Sequence, residues 1–261
     1  MRWLLLGALL FGALSPAALA EDAAADQQWG DLCGELIYDG TPPQPAMIRP
    51  RGLAPIPDES LVVDAKTGAI ANVVVYLRAT ADKPVRPIHP DFEKVDVTNS
   101  DVKLDVLAAK FDPHVLLMRT SQTLAVQNNA GVGVDMKVNP IRNPRQRQLI
   151  EAGKTVWFNF PQAEYVPCKI SSATHPWFDG YVVVQDHPYM AKTDAKGRFE
   201  IKNLPIGKWT FQFWHERLGY VKVVTRDGKV EEWPKGRLEI DVRPGKNDLG
   251  RILISEKLFA K

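Results

Sequence analysis

Cysteine is scarce: Cys33 and Cys168 are the only two among 261 residues. They form no Cys-x-x-Cys pair, so the paired-thiol motif of metal ribbons and redox enzymes is excluded. Other catalytic signatures are missing too. No Gly-x-Ser-x-Gly elbow, His-Glu-x-x-His motif or phosphate-cradling glycine loop occurs. Carboxylates are plentiful, but their spacing singles out no acid/base pair of the kind a glycosidase needs. The chain therefore reads as non-enzymatic. An excess of one charge sign is also absent, with 33 Lys and Arg against 31 Asp and Glu. Without Arg2 the excess falls to a single positive charge, so no global field favours nucleic acid or an anionic membrane. The basic residues Lys137, Arg142, Arg145, Arg147 and Lys154 lie in a Pro- and Asn-rich stretch without interleaved aromatics. They read as a solvated loop face. No amphipathic helix, internal repeat or low-complexity tract beyond Ala23 to Ala25 is present.

The one long apolar run is N-terminal. Met1-Arg-Trp3 is followed by apolar residues from Leu4 to Leu14 and then small residues ending Ala18-Leu-Ala20. This is the pattern of a secretory signal peptide over 1–20, too short for a membrane span. No later stretch could cross a bilayer as a helix. The expectation is an exported protein, periplasmic or secreted.

What is plentiful is β pattern. Gly30 to Tyr38 reads as a strand turning at Asp39-Gly40, and proline-rich 41–58 reads as an extended surface loop. Asn72-Val-Val-Val-Tyr-Leu77 is apolar and β-branched enough for a buried strand. A polar connection over 80–100 follows. His114 to Gln127 gives two short strands around Arg119-Thr-Ser-Gln122. Thr155 to Phe160 alternates, and Tyr181 to Val184 closes the segment. From Lys192 a meander follows, with turns at Thr193 to Gly197, Leu204 to Gly207 and Asp227-Gly228. In Lys208 to His215 the period of two sets Trp209, Phe211, Phe213 and His215 on one face, with Thr210, Gln212 and Trp214 on the other.

In this order, Gly34-Glu-Leu-Ile-Tyr-Asp-Gly40, Ala71-Asn-Val-Val-Val-Tyr-Leu77, Phe111-Asp-Pro-His-Val115, His175-Pro-Trp177, Asp186-His-Pro-Tyr189, Thr193 to Phe199, Trp214-His-Glu216 and Asp248-Leu-Gly250 resemble a family of exported bacterial proteins. These join a cupredoxin-like domain to a carboxypeptidase-regulatory or transthyretin-like sandwich, and some are labelled methylamine-utilisation proteins. The resemblance implies an all-β chain, with a cupredoxin-like Greek-key sandwich over 101–186 and a carboxypeptidase-regulatory-like (transthyretin/Ig-like) sandwich over 187–261. Residues 21–100 would supply N-terminal strands and proline-rich loops packing with the C-terminal sandwich.

The resemblance also implies where copper would sit and what has replaced its ligands. A type 1 site needs a thiolate, two imidazoles and usually an axial thioether. In this chain the corresponding positions read Val134 or a neighbour, Ser172 and Phe178, and His175 alone remains. No type 1 copper is expected. Unorthodox ligation by His175 with Cys168, or a cluster of His175, His187 and His215, is the alternative. Each of His114, His175 and His187 adjoins a proline, where a ring nitrogen can fix a turn by bonding a backbone carbonyl. In an oxidising compartment a Cys33–Cys168 disulfide is the favoured state of the two thiols, with two buried free thiols as the other. Three functions follow. The leading one is an exported binding or assembly module for an unidentified protein or glycan. The others are a copper-binding electron-transfer protein and a carbohydrate-binding module, with Trp177 and Trp214 as surface rings that could meet a ligand.

Overall fold

The computed structural model describes residues 29–50, 52–80, 83–92 and 101–260. The expected signal peptide lies outside them. The described residues are built from strands, as expected of an all-β chain, with single 3-10 turns at Pro234–Gly236 and Glu256–Leu258. No helix among them is long and apolar enough to cross a membrane.

The strands form two sandwiches. The mid-chain sandwich has one sheet in the spatial order Gln146–Ile150, Val134–Asn139, Cys168–Ser172, Asp179–Gln185, Val115–Arg119. Its second sheet runs Thr155–Asn159, Thr123–Asn128, Asp101–Val106, Phe111–Asp112. Asp179–Gln185 is parallel to Val115–Arg119, and Asp101–Val106 is parallel to Thr123–Asn128, among otherwise antiparallel neighbours. Parallel neighbours need crossover connections, which is the Greek-key kind of wiring.

The terminal sandwich is assembled from both ends of the described chain. Trp29–Asp39 lies between Arg198–Pro205, antiparallel, and Gly245–Ser255, parallel. Val223–Arg226 and Lys229–Glu232 complete that sheet. The facing sheet runs Met190–Lys192, Val74–Leu77, Gly207–His215, Gly219–Tyr220, with Arg237–Val242 also paired to Gly207–His215. The turn at Asp227-Gly228 has both residues at positive φ, 51° and 72°, the geometry that joins Val223–Arg226 to Lys229–Glu232 as a tight hairpin. Gly197, at φ 72°, is a glycine of necessity: a Cβ there would sit 2.5 Å from the carbonyl oxygen of Leu36.

Each sandwich has its own core. Leu36, Val75, Phe211, Phe213, Trp233 and Ile252 belong to the terminal core, and Leu104, Met118, Val126, Phe158, Phe178 and Val182 to the mid-chain core. A third cluster joins them. Val74, Tyr76 and Trp214 on the terminal side meet Val115 and Val183 on the mid-chain side. Strand alternation explains the sharing. Val73, Val75 and Leu77 face the terminal core while Val74 and Tyr76 face the junction, and Val182 and Val184 face the mid-chain core while Val183 faces the junction. A sheet covered on both sides loses its polar alternation, which is why these strands read as continuous apolar runs.

Two expectations change here. Cys33 and Cys168 are free thiols and not a disulfide. Cys33 pairs with Glu200 and Asp248 inside the terminal sandwich, whereas Cys168 is buried in the mid-chain core. Residence in separate sandwiches is the physical reason. Trp214 is likewise no surface ring: it is 7% exposed and packs edge-on to Tyr181 at 4.8 Å between the sandwiches. The polar face expected for its strand is covered by the other sandwich. Gln212 on that face is fully buried, its amide donating to the carbonyl oxygens of Lys235 and Gly236.

Two buried histidines make stability depend on pH. His187 has a ring nitrogen 2.9 Å from the carbonyl oxygen of Leu77, so here a histidine beside proline does fix a backbone carbonyl. Burial pushes His187 down to about 4, against the opposing charge of Asp186. Burial, then the positive charges of Arg217 and His114, push His215 down to about 3. Both folded values lie below the ordinary value of 6.5, so below that pH the unfolded chain binds more protons. Their contribution is fully present above pH 6.5 and is lost as pH falls towards the folded values. Each should cost about 1.4 kcal/mol per pH unit. The urea midpoint should therefore drop clearly between pH 7.5 and 5, and a midpoint constant over that range would contradict neutral burial of both rings. Ellman titration of denatured, unreduced protein should find two thiols per chain. Fewer than one would restore the disulfide.

Candidate functional site

The loop 173–178 joins Cys168–Ser172 to Asp179–Gln185 and carries two of the candidate metal positions, His175 and Phe178. Ser172 is buried, and its hydroxyl accepts the backbone N–H groups of Thr174 at 3.4 Å and His175 at 3.2 Å. Such side-chain-to-backbone bonds hold a tight turn. The loop closes with the Phe178 N–H on the His175 carbonyl at 3.0 Å and the Ser172 N–H on the Phe178 carbonyl at 3.3 Å. Phe178 is 1% exposed and lies 5.3 Å from the ring of Phe111 in the mid-chain core. His175 is half-buried. Its Nδ1 lies 2.9 Å from the Thr174 hydroxyl, and its ring packs edge-on to Trp177 and Phe178.

Val134 is fully buried in the same core. The preceding loop is tied down by Asn128, whose amide donates to the carbonyls of Val132 and Ile150 at 2.7 Å and accepts the N–H of Ala130 at 2.9 Å. These residues do not fit copper. They offer one imidazole, one hydroxyl already engaged by the backbone, and two apolar side chains. Cys168 lies buried in the mid-chain core and is not gathered with two further ligands among the described residues. Burial, with the charge of Glu164 adding to it, pushes its thiol up to about 12, and the thiolate is the form that binds metal. The alternative cluster is not assembled either. His187 bonds Leu77 and His215 packs edge-on to Phe259, and no group of three metal-ligating side chains is gathered among the described residues.

The structure assembles something else beside this loop. A cleft of about 890 Å³ opens where the two sandwiches meet the segment around 48–60. Lys110, His114, Trp177, Asp179 and Tyr181 come from the mid-chain sandwich, Glu216 and Arg217 from the terminal one, and Arg49, Asp58 and Glu59 from that segment. The sandwiches are tied across the cleft by His114 Nε2 and Glu216 Oε2, 2.5 Å apart, with side chains about one-tenth exposed. Burial alone would push His114 down. The hydrogen bond and charge of Glu216, helped by Glu59 and Asp179, outweigh it and hold the imidazole above its ordinary value. Lys110 pairs with Glu59 and Lys169 with Asp179, both at 2.9 Å. Trp177, expected at the surface, is a half-buried wall residue whose indole nitrogen is enclosed and has no hydrogen-bond partner.

Sequence reasoning missed this cleft. His114 and Glu216 stand 102 positions apart, and no local spacing joins them. Their one shared signal was membership of the quoted motifs Phe111-Asp-Pro-His-Val115 and Trp214-His-Glu216.

No protein-family model and no curated protein matches the chain. Similar solved structures include an oxidised amicyanin variant, 14% identical over 34% of this chain and 86% of that one, with a TM-score of 0.30. A purple cupredoxin from Nitrosopumilus maritimus is 17% identical over 33% of this chain and 100% of that one, at 0.29. A Cu-containing nitrite reductase from Thermus scotoductus SA-01 is 16% identical over 41% of this chain and 25% of that one, also at 0.29. At these scores the strand order described above, and not the likeness, defines the fold.

If burial holds the loop together, Phe178→Ala should cost about 3–5 kcal/mol, as a large-to-small core change does. His175→Gln, at a half-buried site with only one local side-chain bond, should cost much less. Urea midpoints measured in chelator and in added copper decide between them. A larger loss for His175→Gln that appears only with copper would show that the loop is a metal site.

Proposed function

We propose that this is an exported, non-enzymatic binding protein whose ligand enters the cleft between the sandwiches. The units are a cupredoxin-like one over 101–186 and a transthyretin-like one built from Trp29–Asp39, Val74–Leu77 and the strands from Met190 to Ser255. The observation that carries this reading is the cleft itself. Both sandwiches wall it, and the buried His114–Glu216 pair fixes one wall relative to the other. A concave site at the junction of two units, with converging polar groups, is where small ligands usually bind. Loops presented on a rigid sandwich can change their ligand while the fold does no chemistry.

The absence of a fitting ligand set argues against electron transfer by copper. Similar solved structures are copper proteins by name, yet Val134, Ser172 and Phe178 supply core packing and a turn bond in this chain. The test is metal analysis of purified mature protein equilibrated with Cu(II). The expected result is copper well below one per chain and no intense visible band. One equivalent of copper with a charge-transfer band, lost in Cys168→Ser or His175→Gln, would replace this reading with the electron carrier.

A further inference from the structure

The charged groups of the cleft are not evenly committed. Three carboxylates already hold a cation: Glu59 has Lys110 at 2.9 Å, Asp179 has Lys169 at 2.9 Å, and Glu216 has His114 at 2.5 Å. The fourth, Asp58, accepts the backbone N–H of Ser60 at 2.8 Å. The two guanidinium groups differ. Arg49 makes no ion pair among the described residues, and Arg217 bonds only the Ser60 hydroxyl, at 3.3 Å. Arg217 is also the residue whose N–H caps the buried ring of His215, at 3.2 Å, so its backbone is anchored while its head stays uncommitted. In addition, the indole N–H of Trp177 is enclosed without an acceptor. The charged groups without an ion partner at this site are therefore the two donors Arg49 and Arg217 against the single carboxylate of Asp58.

We propose that the cleft binds a small organic acid, a carboxylate carried on an apolar or aromatic body. This deepens the binding-protein reading and rests on it. A carboxylate matches the planar fork of a guanidinium with two parallel hydrogen bonds, which an amide or hydroxyl cannot reproduce. The rest of the lining suits the body of such a molecule. Ile48, Ile56, Pro57 and Pro176 are apolar, and Trp177 and Tyr181 provide rings. A volume of about 890 Å³ accommodates a ligand of this size. The paired carboxylates are a selectivity device. Their own cations neutralise them, so they neither repel an acid nor attract an amine, and Asp58 alone keeps its charge without a cation beside it.

The test is calorimetry together with NMR of 15N-labelled full-length mature protein, using three probes: N-acetyl-L-phenylalanine, its uncharged amide, and maltotriose. The acid should bind at least tenfold more tightly than the amide and move the Trp177 indole signal. Arg217→Gln should weaken the acid about tenfold and leave the amide unchanged. Arg49→Gln, at an exposed position, should do the same in part, so a folding defect in the first variant would not hide the result. Arg226→Gln, which breaks a pair with Glu231 outside the cleft, should change nothing. Equal binding of acid and amide, or binding of maltotriose in preference, would overturn the acidic ligand and keep the binding cleft. Silence from all three probes at millimolar concentration would overturn both.

Discussion

Burial of one sheet face from each sandwich against the other is the constraint on which the molecule depends. Val74, Tyr76 and Trp214 pack on Val115 and Val183, making a four-layer stack out of two sandwiches. Contacts between units within a chain usually permit relative motion unless they are apolar and extensive. Here an apolar patch is reinforced by bonds crossing it. Tyr76 donates its hydroxyl to the carbonyl of Tyr165 at 3.1 Å, and the Lys192 ammonium donates to the carbonyl of Val115 at 2.6 Å. Lys192 is held below its ordinary pKa by burial, so its backbone bond matters to the charged form. The cleft is the open margin of this stack, walled by both sandwiches.

Around the loop 173–178, burial and backbone capture hold the chain. Phe178 and Val134 fill the core, Ser172 receives two N–H groups, and Asn128 ties two strands to its loop. Glu164 repeats the device. Only 3% exposed, it accepts the N–H groups of Ile141, Arg142 and Asn143 and the amide of Asn143. A buried carboxylate is tolerated when donors converge on it in this way. Side chains thus hold these loops by packing and by bonds to the backbone.

Much of the fold was legible because local chemistry and tertiary position agree. Trp29–Asp39, Val74–Leu77, Gly207–His215 and the Asp227-Gly228 hairpin follow from apolar pattern and turn residues. Gln146–Ile150 was not, because it is an edge strand with three exposed residues and its Gln-Arg-Gln sequence reads as loop. Val134–Asn139 and Cys168–Ser172 were hidden by charged and polar residues on their outward faces. Trp214 was misplaced because period two separates the faces of a strand but does not say whether the second face is covered. Compartment argued for a disulfide, yet pairing depends on where the strands lie, and these thiols belong to different sheets. The cleft escaped notice because its groups converge only after both sandwiches form.

The wiring of the terminal sandwich has a consequence for how the chain is made. Trp29–Asp39 is flanked on both sides by strands that come much later, Arg198–Pro205 and Gly245–Ser255. During translation at about 5–20 residues per second, roughly 10–40 s separate the first strand from the last. Both of its edges are unpaired until Arg198–Pro205 is made, and one stays so until Gly245–Ser255 follows; an unpaired strand edge is a template for the wrong partner. Strands between 101 and 185 meet no such delay, since their partners all lie within that stretch. Nearby partners close at lower entropic cost than distant ones. Among the described strands, Trp29–Asp39 is therefore the one whose pairing waits longest on the rest of the chain.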